Sequence, residues 1–489
     1  MYAIKAAIRQ VFSIFVKTNF VNKLIFFELN EVPVRILDYY RQIRPNSWIA
    51  QNFDYLNKFE SYSENIGHLS PWNTWPTLHR GVTNEKHFIS DFNQDLTQTD
   101  KEFPPIWKIL ADNKIKVGVF GSLHSYPLPQ NFENYSFYVP DVFAPSSECH
   151  PKQIELFQSI NLKLSRKSAR NVDSKIPFGD ALKLGVKSGS LGFKLSTIAE
   201  VGSHLVGERL KRWKTVRRRT YQSVLAFDVF YKLLNKNKPD FVTFFTNHVA
   251  SSQHRYWAAL FPDDYENLKY DKEWIATYSN EILFTMDKAD DMLGKLAKFV
   301  NRNPDYKLIL SSSMGQHAIE SEPIETQLYI VDHAKFMKLF GLEQTDFELK
   351  PSMLPQFNYE FKSNIAEKMQ VLLKSVKING NDLSFRDLGN NRVSLDFGQQ
   401  NLKSVSIEID GKSIALEDSG LKNVEIEDRS SATAYHIPEG HFYIYHPVKT
   451  KNQLHSTNVP TCEIVPTILT NFGIAPKDYM VKPSSILLS

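Results

Sequence analysis

At 489 residues, 42% of them apolar and 23% charged, the chain exceeds the size at which one hydrophobic core stops growing and is too apolar to be disordered, so a large domain with insertions, or two domains, is expected. It contains no run of about 18 uninterrupted apolar residues, which argues against a spanning helix. Its formal net charge is +4. The two cysteines, Cys149 and Cys462, fit no metal or redox spacing, so a disulfide framework is excluded and a reducing, cytoplasmic setting is expected.

In residues 1–22, Ile4, Ile8, Val11, Phe12 and Phe15 fall on one helical stripe with Lys5, Arg9 and Lys17 between them, which predicts an amphipathic helix. Arg9 breaks the apolar run and no small-residue cleavage site follows, so it is not a secretory signal. It lies either on the parent domain or on a membrane surface.

The segment KLIFFELNEV (23–32) is a short apolar run that turns polar at its end, as a buried parallel strand does. IWKILADNKIKVGVFGS (106–122) gives a helix, a turn and a strand, while DFVTFFTNHV (240–249) and YKLILSSSMGQ (306–316) repeat the apolar-to-polar switch. Strands alternating with helices predict an α/β domain with a mostly parallel sheet and a site at the carboxyl ends of its strands. Residues 23–129, 226–375 and 431–489 read as this core, 130–225 as a cap insertion, and 376–430 as a small antiparallel β insertion marked by period-two alternation and an Asp-Gly turn. The cap ends in RLKRWKTVRRR (209–219). A solvated helix face is the commonest meaning of such a run; contact with an anionic polymer or lipid comes next. Nucleic acid is not expected, because no aromatic-interleaved strand or zinc knuckle accompanies it.

The polar strand ends, with LSPWNTWPTLHRG (69–81), HIPEGHFYIYHP (436–447) and PTILTNFGI (466–474), resemble the alkaline phosphatase superfamily, in particular its type I phosphodiesterase/nucleotide pyrophosphatase branch. The resemblance covers 23–125, 240–330 and 432–476. It implies an alkaline-phosphatase-like sandwich and makes Thr74, between Pro71 and Pro76, the nucleophile position. That family holds two zinc-like ions through six ligands, mostly Asp and His, and here the chain departs from it. Asn30 stands at the first-strand aspartate, flanked by Glu28 and Glu31. Ser313 and Met314 replace an Asp-His pair, and Ala250 stands at the aspartate of an Asp-x-x-x-His pair, with Asn247 as its substitute in a longer loop. His254 and His436 are retained, with Gly440 following the latter.

Dications are held largely by anionic donors, so the loss of these carboxylates predicts no two-ion centre and no cofactor, with one weakly held ion on His254 and His436 left open. Three functions remain. The first is metal-independent hydrolysis or transfer on an anionic saccharide, most readily acid/base cleavage of an acidic sugar's glycosidic bond, with Thr74, Glu28, His254 and His436 as catalytic groups. Asn30, Glu31, Arg80, Asn247, His248, Arg255, Ser313 and Gln316 would bind the substrate. The second is phosphoester hydrolysis with an altered metal set, and the third is non-catalytic glycan or anion binding. Each residue also has a plainer role: Thr74 as the cap of a helix starting near Trp75, Glu28 as a buried acid satisfied by backbone donors, His248 and Arg255 as packing.

Overall fold

A computed structural model describes residues 23–484 except 92–93, 167–170, 172–184, 186, 353 and 448–454. The amphipathic segment 1–22 therefore lies outside the described residues. Four predicted strands form where the apolar runs are: β1 (Lys23–Leu29), β3 (Val117–Phe120), β5 (Phe241–Thr246) and β6 (Tyr306–Ser311). With β2 (Leu56–Tyr62), β4 (Tyr135–Val139), Glu439–Tyr445 and His455–Pro460 they build one eight-stranded sheet. Its order is His455–Pro460, β2, Glu439–Tyr445, β6, β1, β5, β3, β4. Glu439–Tyr445 runs antiparallel to both its neighbours, and every other pairing is parallel.

Both faces of β1 are buried, and side-chain parity sends its residues to two different cores. Ile25, Phe27 and Leu29 pack in one cluster with helices Val34–Ile43, Arg218–Asn237, His248–Leu260 and Glu281–Arg302. Leu24 and Phe26 pack in the other, with helices Pro71–Arg80, Ile106–Asp112 and Ile464–Asn471. The result is a three-layer α/β architecture whose strands β1, β5 and β6 deliver their carboxyl ends side by side.

The insertions differ in extent from the sequence reading. β4 falls within 130–225 yet joins the central sheet beside β3, because its Tyr135, Phe137 and Val139 bury against both cores. The β-rich unit has its own hydrophobic cluster running from Ile324 to Ile426, so it begins well before residue 376. Strands Phe347–Lys350 and Gln356–Phe361 pair with Arg392–Asp396 and Ser384–Gly389 in one four-stranded antiparallel sheet. The Asp-Gly turn is present between Ile407–Ile409 and Lys412–Ile414, with φ of 50° at Asp410 and 74° at Gly411, the conformation that a two-residue hairpin requires.

The turn out of β6 is held by close backbone contact. A Cβ on Gly315 would overlap the Glu439 carbonyl oxygen, and one on Gly440 would lie 2.8 Å from the Ser312 carbonyl. Neither backbone group can swing away as a side chain would. Gly315→Ala should therefore lower stability by about 2–4 kcal/mol, read as a shift of the urea midpoint at unchanged m.

Candidate functional site

Immediately after β1 the chain turns sharply: Glu31 has φ of 57°, a left-handed conformation that a non-glycine residue adopts at a cost of about 1–2 kcal/mol. The turn throws its side chain across the strand ends. There the Glu31 carboxylate meets His254 Nε2 at 2.8 Å and His436 Nε2 at 3.3 Å, and accepts from the Gln316 and Asn30 amides. His254 comes from the helix His248–Leu260 after β5, Gln316 from the strand Gly315–Ala318 after β6, and His436 from its antiparallel partner Ala434–Ile437. Four separate segments thus converge on one carboxylate.

The imidazole orientations are fixed from behind. His254 Nδ1 lies 2.8 Å from the Ala434 carbonyl, and His436 Nδ1 lies 2.7 Å from the Leu69 carbonyl. A carbonyl only accepts, so Nδ1 carries the proton in both rings and Nε2 faces Glu31. An unprotonated Nε2 would repel the carboxylate, so either the ring is an imidazolium or a cation sits between them. Burial alone would push the Glu31 carboxyl up, but His436 and His254 outweigh it and hold it well below the usual range. For His436 burial acts downward, and the Glu31 carboxylate together with the Leu69 carbonyl more than reverses it, so its pKa is raised.

Beside this triad lies a neutral network. Asn30 spends its amide fully: Nδ2 donates to Glu31 and Asn247, each at 2.7 Å, and Oδ1 accepts from Trp75 Nε1 at 2.7 Å. Thr74 Oγ1 donates to the Ser70 carbonyl at 3.1 Å and lies 2.8 Å from Ser313 Oγ, both hydroxyls being fully buried. The helix carrying Thr74 starts at Pro71, earlier than the sequence suggests. Ser70 caps it, accepting from Trp72 N, with Asn73 completing the box, so Thr74 is not the cap. Pro76 sits inside this helix and leaves the Trp72 carbonyl without its usual N–H; His124 Nε2 donates to that oxygen at 2.9 Å instead.

The structure thus brings together Asn30, Glu31, Thr74, Asn247, His254, Ser313, Gln316 and His436. Four other residues that the sequence singles out stand apart. Glu28 is fully buried, with His79 Nε2 at 2.7 Å on one oxygen and Ser122 Oγ at 2.8 Å on the other, so it is a sequestered acid satisfied by side chains. Arg80, also fully buried, donates to Asp100 at 2.7 Å. His248 donates from Nε2 to the Thr285 carbonyl and accepts at Nδ1 from Thr246, and burial lowers its pKa to about 4, keeping it neutral. Arg255 lies 3.9 Å from Asp428 and borders a narrow recess with Arg217 and Arg219, away from the triad.

Two residues at the mouth escaped the sequence reading. His254 is 26% exposed, with Tyr435 beside it, and His68 stands next to His436 and 3.3 Å from the Tyr435 hydroxyl. His68 follows Gly67 in a loop, and nothing in its spacing marks it. Tyr435 precedes His436 and alternation alone would send it to the opposite side. The three ligand-type atoms of Glu31, His254 and His436 lie within 4.8 Å of one another.

Neither a known protein family nor any curated protein sequence matches the chain. Among solved structures it is similar to human ectonucleotide pyrophosphatase/phosphodiesterase 5, with 11% identity over 96% of this chain and 100% of that one and a TM-score of 0.39. The murine protein, solved as an inactive variant with AMP, gives 11% identity, coverage of 94% and 96%, and a TM-score of 0.38. Phosphonoacetate hydrolase from Sinorhizobium meliloti 1021, in complex with phosphonoformate, gives 12%, coverage of 92% and 96%, and 0.39.

Two outcomes follow from the site's electrostatics. Glu28→Gln leaves one buried partner without an anionic acceptor and should cost about 2–3 kcal/mol of stability in denaturant unfolding; an activity loss at unchanged stability would contradict the sequestered role. The raised His436 pKa contributes stability that is fully present below the ordinary value of 6.5 and is lost as pH rises through the folded one. The lowered Glu31 pKa contributes above its ordinary 4.5 and is lost only well below it. Chelator-treated protein should therefore lose Tm as pH climbs from about 6.5 upward, and Glu31→Gln should flatten that slope.

Proposed function

We propose that the chain is a divergent hydrolase of the alkaline phosphatase type that acts on a phosphoester-like bond with a single divalent ion held by Glu31, His254 and His436. The observation that carries the reading is the triad itself. Two imidazoles and one carboxylate form a donor set of the kind that holds a catalytic zinc, and both rings are pinned through Nδ1 by backbone carbonyls, as metal-binding histidines usually are. Gln316 donates through Nε2 to Glu31 and to the Ala250 carbonyl, which holds the carboxylate in place from behind. This donor set fits one ion and not two, since Asn30, Ser313 and Thr74 offer only neutral oxygens, that of Asn30 already taken by Trp75 Nε1 and the two hydroxyls by each other.

The glycosidic reading loses support on the same geometry. Acetal cleavage of that type uses two carboxyl groups flanking the bond, and Glu28 is locked between His79 and Ser122, leaving Glu31 as the one carboxylate in the cluster among the described residues.

A divalent ion bound there would supply positive charge to a phosphoryl oxygen and depress the pKa of a nearby hydroxyl or water. The chain's own groups do the rest. The Leu69 and Ala434 carbonyls keep both Nε2 atoms aimed at the shared carboxylate, and Tyr435 and His68 frame the open side. The Ser70 carbonyl holds the Thr74 hydroxyl proton, while Ser313 covers its oxygen. Ser313 must turn aside before Thr74 can meet a substrate, and this cover is the feature that favours a second reading, an ion- or anion-binding protein without turnover.

Purified protein should bind about one zinc or manganese ion per chain and hydrolyse bis-p-nitrophenyl phosphate or p-nitrophenyl phosphate, with activity lost in chelator and restored by the ion. Glu31→Gln and His254→Ala should each lower ion affinity and cut activity by about a hundredfold or more. Full activity in chelator would overturn the reading; stoichiometric ion binding with no hydrolysis of any ester would select the binding protein.

A further inference from the structure

The helix Leu195–Leu210 is built inside out. Helices on a protein surface normally turn their apolar stripe to the core and their polar stripe to water. Here the buried positions are Thr197, His204 and Glu208, whereas Leu195 is 85% exposed, Ile198 39%, Val206 61% and Leu210 83%. With Ala199 and Gly202, also exposed, these residues trace one face at helical spacing over 16 residues, roughly 24 Å at 1.5 Å per residue.

The inward polar face is anchored by charge. Glu208 pairs with Arg218, with His204 Nε2 3.4 Å from the same carboxylate. Glu200 pairs with Lys288 and accepts from Tyr221 Oη at 3.2 Å. Glu200 and Glu208 are the only acids between residues 185 and 212, and both are neutralised from within. Lys187, Arg209 and Lys211 are exposed at the ends of this segment. What the helix shows to solvent is therefore an apolar stripe of Leu195, Ile198, Val206 and Leu210 with Ser196 and Ser203 along its edge, free of acids and positive at the carboxyl end through Arg209 and Lys211.

We infer that this face of the helix Leu195–Leu210 docks in the plane of an anionic phospholipid surface. An in-plane helix sinks its leucines and valines into the acyl boundary while flanking lysines and arginines meet the phosphates, and both contributions add. Charge favours this occupant over a second copy of the chain, because two such faces brought together would oppose their own basic ends. Among the described residues no helix is long and apolar enough to cross a membrane, so the contact is with the surface. The inference is independent of the chemistry at Glu31.

The test uses the full chain and extruded vesicles, either of phosphatidylcholine alone or of phosphatidylcholine with phosphatidylglycerol, read by co-sedimentation. The wild type should partition onto the anionic vesicles and do so less as salt is raised. A variant with Leu195→Ser, Ile198→Ser, Val206→Ser and Leu210→Ser, all solvent-facing and so expected to keep the wild-type circular dichroism and Tm, should lose about tenfold or more in partition. Arg209→Gln with Lys211→Gln should lose about tenfold on anionic vesicles and little on neutral ones. Three results would overturn the inference: no partition of the wild type onto either vesicle, partition that the serine variant leaves intact, or a dimer in sedimentation velocity that the serine variant dissolves without any vesicle binding.

Discussion

The site depends on a single shared carboxylate. Glu31 reaches it by a left-handed turn, and from there it links the end of β1, the helix after β5, the strand after β6 and the strand carrying His436. Burying a carboxylate is costly unless it is paired and hydrogen-bonded throughout, and removing one partner of a buried pair costs more than the pair contributes. Glu31 meets that demand with two imidazoles and two amides. Because each partner comes from a different segment, the electrostatic requirement of one side chain fixes the relative position of four. Backbone contacts at Gly315 and Gly440 then allow no slack in the turn that brings Gln316 into place.

Around Glu31 the cluster contains mutually satisfied neutral groups. An amide such as Asn30 donates and accepts at once, so it closes a network that an aspartate at the same place would leave with surplus negative charge. Asn30 with Asn247 and Trp75, and Thr74 with Ser313, are satisfied without any cation. The only surplus of charge is where Glu31 faces two nitrogens. That contrast separates the half of the site that is complete by itself from the half whose protonation depends on what it holds.

Much of this was legible in the chain. Apolar runs ending in polar residues locate β1, β5 and β6 and with them His254 and Ser313 at one end of the sheet, whereas Thr74 and His436 were reached through the family resemblance alone. Parity along β1 also carried information that was there to use: Glu28 shares a face with Leu24 and Phe26, hence with the core under the helix Pro71–Arg80, so it could not reach the strand ends. Glu31 was harder, because a positive φ at a glutamate has no signature in composition or period. The extent of the β-rich unit was partly readable, since Phe357, Tyr359 and Phe361 alternate as a half-buried strand does, but Pro351 and Pro355 interrupt the pattern before it. The helix start at Pro71 was signalled by Ser70, and Pro76 concealed it, since a proline in the interior is ordinarily read as a boundary.

The rule that buried charge must be paired also explains how the helix Leu195–Leu210 can turn leucine, isoleucine and valine side chains to solvent. Arg218 and Lys288 lie on the two long helices that flank the main core; Arg218 takes the buried Glu208 carboxylate inward, and Lys288 pairs with the part-exposed Glu200 at the edge of the same face. Once those pairs form, the rotation of the helix Leu195–Leu210 about its axis is set; Val201 and Leu205 stay half-buried, and Leu195, Ile198, Val206 and Leu210 are left facing outward. Such pairs repay little more than their own desolvation, whereas the apolar face they expose forgoes the larger gain of burial in a core. An isolated domain selected only for stability would rotate this helix by half a turn. That it does not is best understood if the apolar face is covered in use, and the absence of any unpaired acid on that face gives the covering surface its sign.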